Sequence, residues 1–423
     1  MEHVSFVNLL VAAAIAVAAP LLVGYLPALR MPAVVLEIVA GIVIGPSVLG
    51  LVEIDLPVQI LALVGLAFLL FLAGLEIDVH RLRGRLLRVA LLGYVITMGL
   101  GLGAGTALAA AGWVASPLLL VIVMSATSLG LVVPVLKDAG QIQSDVGQTT
   151  VAAATVADFA AIVLLSLFFS MSDGGTGSTL VLLTGFVLLV SVTFVVVSRA
   201  GRSMRLGDIL VRLQDTTAEI RVRLAVVLLV GFVALAQKFG LESILGAFLA
   251  GAVVALLDRD SVSHPHFRVK LEGIGYGFVI PVFFVSSGIQ LDLSGLIEDP
   301  SALVRVPVFL LALLLLRGLP AALYVPTAGR RASLAAGLLQ AMSLPFIVTA
   351  TQIGMAQGLL STETAAALVC AGVLSVVAFP PAALALLRGS ERHLEDDRRP
   401  GSAREGEREE LASRPDVITQ CSM

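Results

Sequence analysis

Apolar runs of roughly 17–25 residues recur along most of the chain, the length a helix needs to cross the hydrocarbon core of a bilayer. Short polar stretches separate them. The pattern predicts thirteen spans, at roughly 4–26, 33–51, 57–77, 87–111, 115–136, 146–170, 179–198, 222–238, 241–257, 274–290, 303–325, 332–356 and 364–387. The eighth and ninth are short and meet tightly between Lys238 and Glu242. The ten-residue alternating segments of a membrane barrel are not seen. An all-α polytopic membrane protein is therefore expected, with one transmembrane domain over about 1–388. Residues 389–423 are charged and too few to bury a core, which predicts a disordered cytoplasmic tail.

Composition agrees with this pattern. Of 423 residues, 58% are hydrophobic and 13% charged, against about 25% charged in soluble proteins. Mean hydropathy is +1.01. The net charge of −3 says little about partners, because the charges are sorted by loop. Lys and Arg in short loops stay cytoplasmic. The segments after odd-numbered spans hold Arg30, Arg81, Arg83, Arg85, Arg88, Lys137, Arg199, Arg202, Arg205, Arg212, Arg259, Arg330 and Arg331, among others. Those after even-numbered spans hold only Lys238 and Arg305. This sorting places the N-terminus outside and the C-terminus in the cytoplasm of a cell (plasma or inner) membrane. The first apolar run begins near Val4 with no basic region ahead of it, so it is expected to stay as a first helix.

The spans also repeat. Leu36–Gly41 at the start of span two resembles Leu241–Gly246 at the start of span nine, and Phe71–Asp78 in span three resembles Val285–Asp292 in span ten. Ser128-Leu-Gly in span five is echoed by Ser343-Leu-Pro in span twelve, all at offsets of about 210 residues. A first repeat over about 4–170 and a second over about 222–387, joined by one crossing at 179–198, enter the membrane from opposite sides. That is the inverted-topology architecture of many secondary transporters.

Two places conflict with plain membrane helices. Thr127, Ser128, Gly130 and Pro134 weaken the backbone in mid-span five, and Ser343 with Pro345 does the same in span twelve. Non-helical backbone at that depth needs protein or a water-filled cavity around it. Asp158 sets a carboxylate in the next span, and an intramembrane acid is a functional-site hypothesis by default. A carboxylate holds a proton or a cation but not both at full strength, so their competition at one site couples two flows. Thr127, Ser128 and Ser343 offer hard oxygens for an alkali cation, although Ser and Thr also serve helix packing. Arg317, inside span eleven, needs a partner. Asp158 and the broken-helix carbonyls are both candidates, and snorkelling to an interface is the competing reading. Glu37 and Glu242, near span starts, read as interface caps, as do Asp78 and Asp292 at span ends. Cys370 and Cys421 have no metal spacing. Phosphate loops and nucleophile elbows are absent from the sequence, so neither an enzyme, a cofactor nor a nucleic-acid partner is expected.

With these residues in view, the chain resembles the monovalent cation:proton antiporter superfamily, and within it the second branch of bacterial sodium/proton and potassium/proton exchangers. The resemblance covers roughly 5–388. It rests on Ala126–Gly130, on Val156-Ala-Asp158, on Pro281–Gly288 and on Arg317. It implies two crossed broken helices beside Asp158 as the cation- or proton-binding acid. It further implies Arg317 as a charge partner, a homodimer, and movement of a core of spans four to six and eleven to thirteen. Relatives carry aspartate or asparagine just before that acid, where this chain has Ala157. One titrating carboxylate implies one proton per cation, hence electroneutral exchange of sodium or potassium for protons. The nucleotide-binding domain of glutathione-gated relatives is not present in this sequence. A sodium-coupled organic-anion symporter and a transporter-like sensor are the competing readings.

Overall fold

In hydrocarbon every backbone polar group must be paired within its own segment, which leaves the helix as the usable element for apolar runs like these. The computed structural model describes residues 6–25, 32–76, 84–138, 140–173, 219–239, 241–257, 265–291, 293–298 and 300–398, with 184, 185, 188 and 191. In order these form α1 (Val7–Tyr25), α2 (Ala33–Ile44), α3 (Leu56–Leu75), α4 (Gly84–Ala110), α5 (Pro117–Ser125), α6 (Leu129–Asp138) and α7 (Asp145–Asp173). The second half holds α8 (Ile220–Lys238), α9 (Ser243–Leu257), α10 (Pro265–Ile274), a π-helical turn (Gly275–Val279), α11 (Ile280–Ile289) and α12 (Leu293–Glu298). Then come α13 (Pro300–Gly318), a 3-10 stretch (Leu319–Tyr324), α14 (Val325–Gln340), α15 (Leu344–Ala356) and α16 (Thr362–Arg398). No strand is present among the described residues.

Eight of these stretches are long and apolar enough to cross a membrane. The expected thirteen spans are not all established by that measure. Ala33–Ile44, Pro117–Val133 and Ser243–Leu256 are shorter apolar helices, and Pro300–Ala356 counts as one stretch although it holds α13, α14 and α15. The expected span 179–198 lies almost wholly outside the described residues, as do Asp78 and Asp292. The last helix runs past residue 388 to Arg398, so the expected start of the tail falls inside it.

Local signals set the helix starts. Asp55 accepts from the Val58 N–H at 3.2 Å, with Pro57 in the first turn of α3, and Ser116 caps α5 ahead of Pro117. Asp55 also accepts from Asn8 Nδ2 at 3.1 Å, tying α1 to α3.

The helices pack as two groups. One contains α1, α2, α3, α8, α9 and α11. The other contains α4, α5, α6, α7, α13, α14, α15 and α16, the spans expected to form a core. Within the first group, glycines let backbones touch. A Cβ on Gly41 would strike the carbonyl of Val285, and one on Gly288 the carbonyl of Ile38. Across α3 and α9, Gly74 faces the carbonyl of Phe248 in the same way, and Gly251 that of Phe71. The sequence repeat equates α2 with α9 and α3 with α11, so these are one contact made twice. The inverted repeat is thus visible as a pair of equivalent glycine-lined interfaces, the close approach that small residues permit in membranes.

Candidate functional site

The site lies where two interrupted helices cross. α5 stops at Ser125, and Ala126 is extended (φ −72°, ψ 159°). The backbone re-enters a helix at Leu129. In the second half, α14 stops at Gln340 and α15 starts at Leu344, with Ser343 at φ −148°, ψ 56°. The two breaks are joined directly. The Ser128 N–H donates to the Met342 carbonyl at 2.8 Å, and the Thr127 hydroxyl donates to the Gln340 carbonyl at 2.7 Å. Groups orphaned at one helix end therefore satisfy those orphaned at the other.

This corrects three expected positions. Gly130 and Pro134 are not at the first break but inside α6, after it. Pro345 is not at the second break but in the first turn of α15. A proline fits there because the first-turn N–H it lacks has no helical partner anyway. The breaks proper are 126–128 and 341–343.

Asp158, on α7, spans the first break. Its Oδ1 accepts from the Thr127 N–H at 3.1 Å and its Oδ2 from the Leu129 N–H at 3.2 Å. These N–H groups flank Ser128 and belong to the free N-terminal end of α6, where the helix dipole favours an anion. A carboxylate has about four acceptor positions. Two are used here, and Asp158 is partly exposed to a cavity of about 290 Å3 between the helix groups. Ser128 and Gly130 also line it, as do Glu37, Glu76 and Tyr276 from the opposite group.

Arg317 does not reach Asp158. No ion pair joins them among the described residues, and the expected direct pairing is replaced by a bridge. The guanidinium is buried (2% exposed). Its Nε donates to the Thr127 hydroxyl at 2.9 Å, Nη2 donates to the same oxygen, and Nη1 lies 3.4 Å from the Thr97 hydroxyl. A threonine hydroxyl has one donor and two lone pairs. With its proton on Gln340 and its lone pairs turned to Arg317, Thr127 has no side-chain position left for an ion. It was expected as a ligand and instead holds the crossing together. Ser128 differs: its hydroxyl makes no hydrogen bond to a described residue and lies on the cavity. Ser343 is at the crossing but fully buried, and its Oγ has no partner among the described residues.

The profile described as sodium/hydrogen exchanger, transmembrane, matches residues 13–385. The chain belongs to this sodium/hydrogen exchanger family. It is 33% identical over 398 residues to the putative Na(+)/H(+) antiporter YjbQ of Bacillus subtilis, covering 90% of this chain and 63% of that one. This chain thus spans less than two thirds of that relative's length. It is 29% identical to the Na(+)/H(+)-K(+) antiporter GerN of Bacillus cereus, covering 84% of this chain and 89% of the relative. The solved sodium proton antiporter MjNhaP1 of Methanocaldococcus jannaschii shares the fold, with a TM-score of 0.58 at 16% identity over 90% of this chain and 97% of that one.

Within this exchanger fold, several site residues carry no strong signal in the sequence. Thr97 on α4 has its hydroxyl 3.0 Å from the carbonyls of Gly93 and Leu316, which ties α4 to the turn bearing Arg317. Gln340 donates from Nε2 to the buried Tyr324 hydroxyl at 3.0 Å. As the last polar residue before a break, Gln340 was the more legible of the two. Glu37 is also a correction. It lies inside α2, is 6% exposed and caps nothing. Its repeat counterpart Glu242 does precede α9 and accepts from Gln357 at 3.1 Å.

Proposed function

We propose that this chain exchanges a monovalent cation, sodium or potassium, for protons across the cell membrane, with Asp158 as the shared carrier. The observation that carries the reading is Asp158 itself. Its carboxylate is clamped by two backbone N–H groups at the helix crossing, and the residue lines the cavity. Fixed dipoles there hold the anion without having to reorganise. A bound cation draws on the free Asp158 lone pairs, the Ser128 hydroxyl and water. A proton on Asp158 removes the charge that held the cation. Either occupant brings one positive charge to one carboxylate, and Ala157 supplies no second acid, so the cycle is electroneutral. Relatives named as Na(+)/H(+) and as Na(+)/H(+)-K(+) antiporters support this substrate class.

The division into two helix groups supports alternating access. The cavity is bounded by Pro32, Glu76 and Tyr276, at segment ends that the charge sorting puts on the cytoplasmic side. Toward the other side, Gln352 donates to Ser287 at 3.0 Å and closes the groups together. This supports an inward-open arrangement. The glycine-locked group serves as a rigid frame, contributes the homodimer contact, and lets the Asp158 group slide past it.

The experiment is exchange in proteoliposomes carrying a pH-sensitive dye, with sodium or potassium added outside. Cation-driven proton movement is expected with wild type and not with Asp158→Asn, and it is expected to be unaffected by clamping the potential. Because protons compete for the same oxygens, the apparent KM for the cation should rise as pH falls, by up to about tenfold per unit. Proton movement by folded Asp158→Asn at the wild-type rate would sink the assignment.

A further inference from the structure

The cavity holds more acid than the exchange cycle uses. Glu37 on α2 and Glu76 at the end of α3 line it from the wall facing Asp158. Glu37 is 6% exposed and makes no hydrogen bond or ion pair with a described residue. Glu76 Oε2 is buried and likewise without a partner among the described residues. Glu76 Oε1 and the Tyr276 hydroxyl lie 3.9 Å and 3.5 Å from where a Cβ on Gly130 would stand, so this wall reaches close to the first turn of α6. Arg268, the basic residue beside Glu76, donates to the Leu75 carbonyl at 2.6 Å and does not line the cavity. Among the described residues, no lysine or arginine lines it.

An unpaired carboxylate away from bulk water is costly unless something completes it. A cavity of about 290 Å3 is roomy enough to do so, since one water needs only about 15 Å3 on this measure. A cleft lined by one sign of charge with apolar walls concentrates counter-ions. Here the walls include Leu69, Leu70, Ile280 and Phe284. We infer that Glu37, assisted by Glu76, forms an antechamber site for a hydrated monovalent cation, on the stationary helix group, ahead of transfer to Asp158. This deepens the exchange reading and rests on it. Glu37 and Glu76 stand on one helix group and Asp158 on the other, so the cation is held near the wall while the Asp158 group is free to receive it. The site sets how readily the cation is captured, while Asp158 sets whether it is exchanged for a proton.

The test is the initial exchange rate against sodium or potassium concentration in proteoliposomes, for wild type, Glu37→Gln and Glu37→Asp. Glu37→Gln should raise KM by roughly three- to tenfold, with the greater part of the effect in KM rather than in the maximal rate. Glu37→Asp should restore most of the wild-type KM. In choline chloride near 1 M, where the screening length falls to about 3 Å, the gap between wild type and Glu37→Gln should narrow. An unchanged KM in Glu37→Gln overturns the inference. So does a fall confined to the maximal rate, which makes Glu37 structural. Complete loss in folded protein also overturns it, by placing Glu37 in the exchange centre itself. Absence of exchange by wild type with either cation is a different failure, that of the antiport reading.

Discussion

Asp158 and Arg317 both hydrogen-bond Thr127 and, among the described residues, form no direct ion pair. The acid accepts from the Thr127 backbone N–H, and the arginine donates to the Thr127 hydroxyl, which itself donates to Gln340 on the other broken helix. The charge of Arg317 thus braces the crossing without pairing directly with the Asp158 carboxylate, whose residue lines the cavity. A direct bidentate pair would have tied up the carboxylate's lone pairs.

Thr127 is therefore expected to be the most sensitive neutral residue at the site. Thr127→Val keeps the shape but strips a buried guanidinium of its principal acceptor, a change that costs about 3–5 kcal/mol when a buried charge loses its partner. Thr127→Ser keeps the hydroxyl and should stay close to wild type. Thermal unfolding of the purified protein in detergent separates the two, with only the valine variant melting early. Arg317→Lys should fall between them, because an ammonium cannot reproduce the fork that engages Thr127 and Thr97 together.

Ser128 and Ser343, equivalent in the repeat, should behave differently. Ser128→Ala removes a free hydroxyl from the cavity and is expected to raise the cation KM several-fold with little change in melting. Ser343→Ala removes a buried hydroxyl that has no partner among the described residues, so melting should hold or rise by the equivalent of about 1 kcal/mol. Exchange rates and melting curves on the two single variants check this. Equal KM increases would place Ser343 at the ion instead.

The glycine interfaces give a prediction independent of transport. Gly41→Ala drives a Cβ into the carbonyl of Val285 and should cost about 1–3 kcal/mol by forcing α2 from α11. Gly99, on α4, has no atom of a described residue within 4 Å of its would-be Cβ, so Gly99→Ala should be neutral or slightly stabilising. Melting temperatures of both variants in one detergent decide it.

The membrane class, the inverted repeat, the two interruptions and the intramembrane charges Asp158 and Arg317 were all legible along the chain. Each rests on a cost the bilayer charges locally. Apolar length, unpaired backbone and intramembrane charge are penalised wherever they occur, so they stand out in one dimension. Contacts are not penalised that way. Nothing in the spacing of Thr127 and Arg317, 190 residues apart, says that a hydroxyl and not a carboxylate meets the guanidinium. Gly130, Pro134 and Pro345 marked the neighbourhood of the breaks but not their positions, because cross-pairing between Ser128 and Met342 chooses which residues leave the helix. Glu37 read as a cap because a glutamate near a span start usually meets water. Only the packing of the two helix groups showed that its surroundings are a cavity shared with Asp158, since burial is a property of the assembled helices and not of any one of them.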